Sequence, residues 1–69
     1  MGAAKIIKQL MIERDVSVKA LADSLGMQAQ SMSNKLYRDN FSFDEVVKIA
    51  EILNCDVKLI TRDTGKEFM

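Results

Sequence analysis

Proline, histidine and tryptophan do not occur in this chain, and cysteine occurs once, at Cys55. Without proline, no helix-forming stretch contains the residue that most disrupts a helix interior. Without histidine there is no imidazole for acid–base work or metal ligation near neutral pH. A lone cysteine cannot close an internal disulfide, so the fold is expected to rest on packing, in a reducing cytoplasm. No apolar run approaches the roughly 18 residues of a membrane span. The opening MGAAKIIK lacks a signal peptide's apolar core, and Ile6 stands where the myristoylation pattern wants Ser or Thr. No Gly-rich phosphate loop is present, nor a carboxylate pair apart from helix caps and surface positions. Together these absences argue against an enzyme, a structural metal and a bound cofactor.

Net charge is also missing, since ten Lys and Arg balance ten Asp and Glu. Its distribution is uneven. Residues 1–38 hold six cations (Lys5, Lys8, Arg14, Lys19, Lys35, Arg38) and three anions (Glu13, Asp15, Asp23), a balance of +3, and residues 39–69 carry −3. What remains is plentiful apolar material: 48% hydrophobic residues but only 6% aromatic, which predicts an aliphatic, methionine-containing core with Met11, Met27 and Met32 as fillers. Sixty-nine residues make one domain, and a domain of this size buries only about 60% of its unfolded surface.

Ile6, Ile7, Leu10 and Met11 recur at i, i+1, i+4, i+5, which predicts a first helix from Ala3 to about Arg14 with a wide apolar band. Asp15 is the expected left-handed stop. Ser17 is an N-cap for a second helix, with Val16 and Leu21 placed as a hydrophobic staple. Leu21, Ala22 and Leu25 give that helix one apolar side, and Gly26 supplies the sharp turn after it. A third helix starts near Gln28, with Met32 and Leu36 on its inner face. Tyr37 is expected to pack, with a phosphate contact as the alternative, and Tyr37-Arg38-Asp39-Asn40 reads as a polar connector. Ser42 and Glu45 have capping-box spacing, flanked by Phe41 and Val46, and a fourth helix follows on Val46, Ile49, Ala50 and Leu53 to a stop at Asn54.

After Asn54 the period becomes two. Cys55, Val57 and Leu59 alternate with Asp56, Lys58 and Ile60, with Cys55 expected to face the core. A turn near Thr64-Gly65 and a return strand to Phe68 complete a hairpin. A two-stranded hairpin alone is marginal in water, so this one must pack on the helices or pair with another chain. The expected fold is mainly α: a bundle of four helices over residues 1–54 with a short C-terminal β-hairpin over 55–69.

The third helix carries the functional signal. Gln30, Asn34 and Arg38 line one face at i, i+4, i+8, and no acid occurs between Asp23 and Asp39. Two amides and a cation on an acid-free outer face suit an element that reads base edges in a major groove. A helix-turn-helix unit is therefore expected.

The stretch Ser17–Leu53 resembles the phage repressor and Cro-like helix-turn-helix regulators, the XRE family. The likeness rests on Ser17-Val18-Lys19-Ala20-Leu21-Ala22, Leu25-Gly26, Ser31-Met32-Ser33, and Ser42 through Ile49-Ala50 and Leu53. It implies a lambda-repressor-like bundle of four or five helices. It also implies a small cytoplasmic transcriptional regulator, typically a repressor, that binds pseudo-palindromic double-stranded DNA as a homodimer. By position, base reading falls on Gln28, Ala29, Gln30 and Asn34, and phosphate contacts fall on Ser17, Lys19, Arg38 and Asn40. Ser31, Ser33 and Lys35 join the phosphate candidates by chemistry, although Ser31 also suits a close helix–helix approach. The chain departs from the family pattern in three places. Ala29 is apolar where many members are polar, Tyr37-Arg38-Asp39-Asn40 replaces a Glu-x-Gly connector, and a hairpin stands where a fifth helix is usual.

A second expectation stands beside this one. The same fold serves as a protein-interaction module or antitoxin-like partner, with residues 55–68 as the protein contact. Zero net charge and the acidic second half favour it; the acid-free face of the third helix disfavours it.

Overall fold

Four helices and a terminal hairpin are set out in a computed structural model that describes residues 2–68. In chain order they are α1 (Ala3–Arg14), α2 (Val18–Leu25), α3 (Ala29–Arg38), α4 (Phe43–Ile52), β1 (Leu59–Ile60) and β2 (Glu67–Phe68). The core is made by the inner faces of all four helices. Leu21, Met32, Ile49 and Leu53 are fully buried at its centre, with Ala4, Ile7, Met11, Ala22 and Leu36 around them. It is aliphatic and contains two methionines, as the composition implies.

Each helix stops in the same way. Asp15, Gly26, Asp39 and Asn54 all take positive φ, between 56° and 71°. The amide after each reaches back five residues: Val16 to Met11, Met27 to Ala22, Asn40 to Lys35 and Cys55 to Ala50. This closure satisfies helix-end carbonyls and commonly carries an apolar residue at its last position. Val16, Met27 and Cys55 meet that pattern by packing on the core. Asn40 does not; it is polar and exposed at the end of α3.

Two of the four starts, those of α2 and α4, follow the capping rules. Ser17 Oγ accepts the Ala20 N–H at 3.0 Å. Ser42 and Glu45 form the reciprocal box, Oγ accepting from Glu45 N–H at 3.2 Å and Oε1 accepting from Ser42 N–H at 2.9 Å. The other oxygen of Glu45 is 2.8 Å from Lys35 Nζ. The Lys35 ammonium, aided by the Ser42 amide, holds the Glu45 carboxyl below its ordinary value of 4.5. A carboxyl more acidic in the folded than in the unfolded chain contributes stability above the unfolded value and loses it as pH falls through the folded one. Melting curves from about pH 6 to about pH 3 are accordingly expected to fall more steeply for the native chain than for Glu45→Gln. Parallel pH profiles would contradict this role for Glu45.

Three expectations need correction. Ile6 lies outside the core, 57% exposed, because the buried stripe of α1 runs through Ala4, Ile7 and Met11 with Leu10 at its edge. Tyr37 is 89% exposed instead of packed: Met32 and Leu36 occupy the inner face of α3 and leave the Tyr37 ring on the outside. The strand expected over Cys55–Ile60 is only two residues long. Cys55 and Val57 are half-buried beside Ile6, Leu10 and Val46, so the period-two pattern there reports a segment lying over α1 and α4 without a strand partner.

The hairpin is antiparallel, pairing Leu59 with Phe68 and Ile60 with Glu67. Gly65 takes φ 72° in its turn, and the Thr61 and Thr64 hydroxyls bond each other. Lys58 bridges to Glu67 at 3.0 Å across it. Among the described residues neither strand packs on a helix, and Leu59, Ile60 and Phe68 are 68%, 59% and 52% exposed. The hairpin is an arm extending from the bundle.

Candidate nucleic-acid interface

The turn between α2 and α3 is set by Gly26. Its φ of 71° is the requirement; a Cβ there would meet nothing within 4 Å, so backbone conformation and not space selects glycine. Met27 then tucks back toward the core, and Gln28 caps α3 with its backbone while its side chain makes no capping bond. With Met32 and Leu36 pointing inward, the rest of α3 apart from Lys35 faces solvent. Gln28, Ala29, Gln30, Ser31, Ser33, Asn34, Tyr37 and Arg38 are all exposed.

Two of these side chains are joined. Gln30 Nε2 donates to Asn34 Oδ1 at 3.1 Å. The bond uses one of Gln30's two amide hydrogens, so its oxygen and its second N–H remain as an acceptor–donor pair. That pair matches N6 and N7 of adenine. Asn34 keeps both of its own donors. The bond also restricts the rotamers of both side chains, which would reduce the entropy lost on meeting a ligand.

The remaining candidates divide by what holds them. Ser17 spends an acceptor lone pair on capping α2, which leaves its hydroxyl hydrogen free for a phosphate oxygen. Lys19 pairs with Asp23 at 3.1 Å, but both groups are mostly exposed, and such a pair holds its cation weakly. Arg38 and Asn40 are exposed at the far end of α3, where Arg38 makes no ion pair among the described residues. Ser31 and Ser33 are exposed, so Ser31 does not sit between helices. Ala29 stands exposed in the first turn and contributes only a methyl group. Lys35 is the exception. It turns toward α4, bonded to Glu45 and 5.9 Å from the Phe41 ring centroid, and joins the two helices.

Two more residues at this end of the molecule bear on the site: Tyr37, open by its chemistry to packing or to a phosphate contact, and Asp39, which was not foreseen. Tyr37 follows Asn34 by three and Gln30 by seven, so spacing alone places it on the outer face; its apolar ring is what suggested packing. Asp39, read as a turn residue, accepts the Ala4 N–H at 2.9 Å. No local pattern announces a contact between positions so far apart in the chain.

A model of the Cro/C1-type helix-turn-helix DNA-binding domain matches residues 6–60, from the second turn of α1 through β1. The chain belongs to that family. Neither the curated proteins nor the solved structures gave a match to it. As a Cro/C1-type domain it has α2 and α3 as its helix-turn-helix pair, which supports DNA as its binding partner. Among the described residues of this Cro/C1-type domain, no helix is long and apolar enough to cross a membrane.

Proposed function

We propose that this Cro/C1-type domain binds double-stranded DNA sequence-specifically as a small cytoplasmic transcriptional regulator, acting as a repressor, with α3 in the major groove. The observation that carries the proposal is the outer face of α3: solvent-exposed, free of acids, and bearing the joined amides of Gln30 and Asn34. Gln30 reads an adenine, steadied by Asn34. Gln28 and the Ala29 methyl meet flanking base edges, the latter suited to a thymine methyl. Ser17, Lys19, Ser31, Ser33, Arg38 and Asn40 contact phosphates. Tyr37, whose hydroxyl is a donor on the same face, joins this set.

One reading helix spans too few base pairs for high specificity, so two copies bind half-sites about one helical turn apart. The C-terminal segment 55–68, through its hairpin arm, is the proposed contact between them. A second reading keeps the fold as a protein-interaction module, with the apolar arm binding a different protein. The exposed Leu59, Ile60 and Phe68 and the zero net charge favour it.

Gel-shift titration of Gln30→Ala tests the base-reading role. Loss of about 1–3 kcal/mol of specific affinity, with relaxed preference at a single base position, is expected for base reading. Arg38→Ala in the same series is expected to weaken binding and to lower the magnitude of the salt slope by about 0.9. Unchanged affinity and preference in Gln30→Ala would remove the residue from the reading face.

A further inference from the structure

The carboxylate of Asp39 ties the end of α3 to the start of α1. Oδ1 accepts the Ala4 N–H at 2.9 Å across 35 positions of sequence. That amide lies in the first turn of α1, where N–H groups lack partners within the helix. The residue at the N-cap, Gly2, makes no side-chain capping bond. Asp39 therefore supplies from another helix the cap that α1 lacks locally. It does so from a left-handed backbone, φ 56°, a conformation that Asp tolerates better than most residues with a Cβ. Gly2 is fitted to the arrangement, because a Cβ there would overlap the Asp39 carboxylate. A hydrogen bond, a left-handed acid and a glycine whose missing side chain leaves room for the carboxylate converge on one contact.

Asp39 stands between Arg38 and Asn40, the two phosphate candidates at the far end of α3. Phosphate contacts fix a protein's register on the duplex, while base contacts read the sequence. We infer that Asp39 is a positioning residue for DNA reading. By fastening the α3–α4 connector to the N-terminus of α1, it holds Arg38 and Asn40 where they set the register of Gln30 and Asn34 in the groove. The contact also engages the one acid in this connector at the positive end of the α1 dipole. This role rests on the DNA-binding reading above.

Two variants break the contact from opposite sides. Asp39→Gly keeps the left-handed backbone and removes the carboxylate, and Gly2→Ala places a methyl group where the carboxylate lies. Asp39→Asn keeps an oxygen acceptor. The measurements are competition gel shifts of a selected duplex against a scrambled one, at a temperature where circular dichroism shows each variant folded, and hydrogen exchange of the Ala4 amide without DNA. Asp39→Gly and Gly2→Ala are each expected to lower the preference for the selected duplex about tenfold, or about 1.4 kcal/mol of binding free energy. The double variant Gly2→Ala/Asp39→Gly is expected to lose no more than either single change, since both act through one contact. Asp39→Asn is expected to restore most of the preference and much of the Ala4 protection. An unchanged preference once Ala4 protection is gone overturns the inference. So do additive losses in the double variant, or Asp39→Asn as weak as Asp39→Gly. If the native chain itself fails to prefer the selected duplex while Ala4 remains protected, the DNA reading fails first and takes this role with it.

Discussion

Removing residues 59–69 is expected to turn a dimer into a monomer that holds single half-sites weakly. The deletion leaves intact everything the bundle uses. All the fully buried side chains precede residue 59, and the half-buried Cys55 and Val57 remain in place over α1 and α4. What is lost is an arm that touches no helix among the described residues and exposes Leu59, Ile60 and Phe68. Those three side chains are costly to leave in water, and a paired hairpin of four residues is not stable unaided. Its strands also present unpaired backbone edges, which suit pairing with a second copy. Joining two reading heads multiplies affinity by about 10²–10⁴ over one head alone, so the deletion should cost operator affinity on that scale. Sedimentation of the truncated and full chains, followed by titration of a full and a half operator, measures both effects. A truncated protein that still sediments as a dimer would place the contact elsewhere on the bundle. A full chain that is monomeric alone but captures a different protein through the arm would favour the protein-interaction reading.

Leu21→Ala is expected to unfold the domain or bring it close to unfolding at 37 °C. Leu21 is completely buried where α2 meets α3 and α4. Truncating a buried leucine to alanine costs about 2–5 kcal/mol, through lost transfer energy and the cavity left behind. A chain of 69 residues has a total stability of roughly 3–10 kcal/mol. The deletion therefore removes a large fraction of it. The same position holds α2 against α3, so any residual fold should have lost DNA preference as well. Urea denaturation followed by circular dichroism gives the change directly. A midpoint close to that of the native chain would mean that the core collapses around the smaller residue more readily than its close packing implies.

Much of this architecture can be read from short-range rules. Ser17, Ser42 and Glu45 declare helix starts because capping depends on residues only three apart, and Asp15, Gly26 and Asn54 declare stops because few residue types tolerate positive φ. The outer face of α3 was legible for the same reason: helical periodicity alone brings Gln30 and Asn34 together. Failures occur where contacts are distant in sequence. Ile6 satisfies the periodicity of the α1 stripe, yet Ala4, Ile7 and Met11 fill the space available against α3 and α4. The alternation in Cys55–Val57 matches a strand, but it arises from a segment lying over α1 and α4. Lys35 reads as a free cation until Glu45, ten residues on, is seen to meet it. Asp39 is the clearest case, since neither its own neighbourhood nor that of Ala4 hints at the other.

Affinity selection of random duplex DNA by the full chain, sequenced after rounds at low and at physiological salt, tests sequence-specific binding most directly. Enrichment of a two-fold-symmetric sequence with half-sites about 10 base pairs apart is the expected result. It would also identify the bases to pair with Gln30 and Asn34. Retention of duplex without enrichment, lost at physiological salt, would leave only the attraction of a basic surface for phosphate and contradict base reading. No retention at either salt would contradict DNA binding altogether.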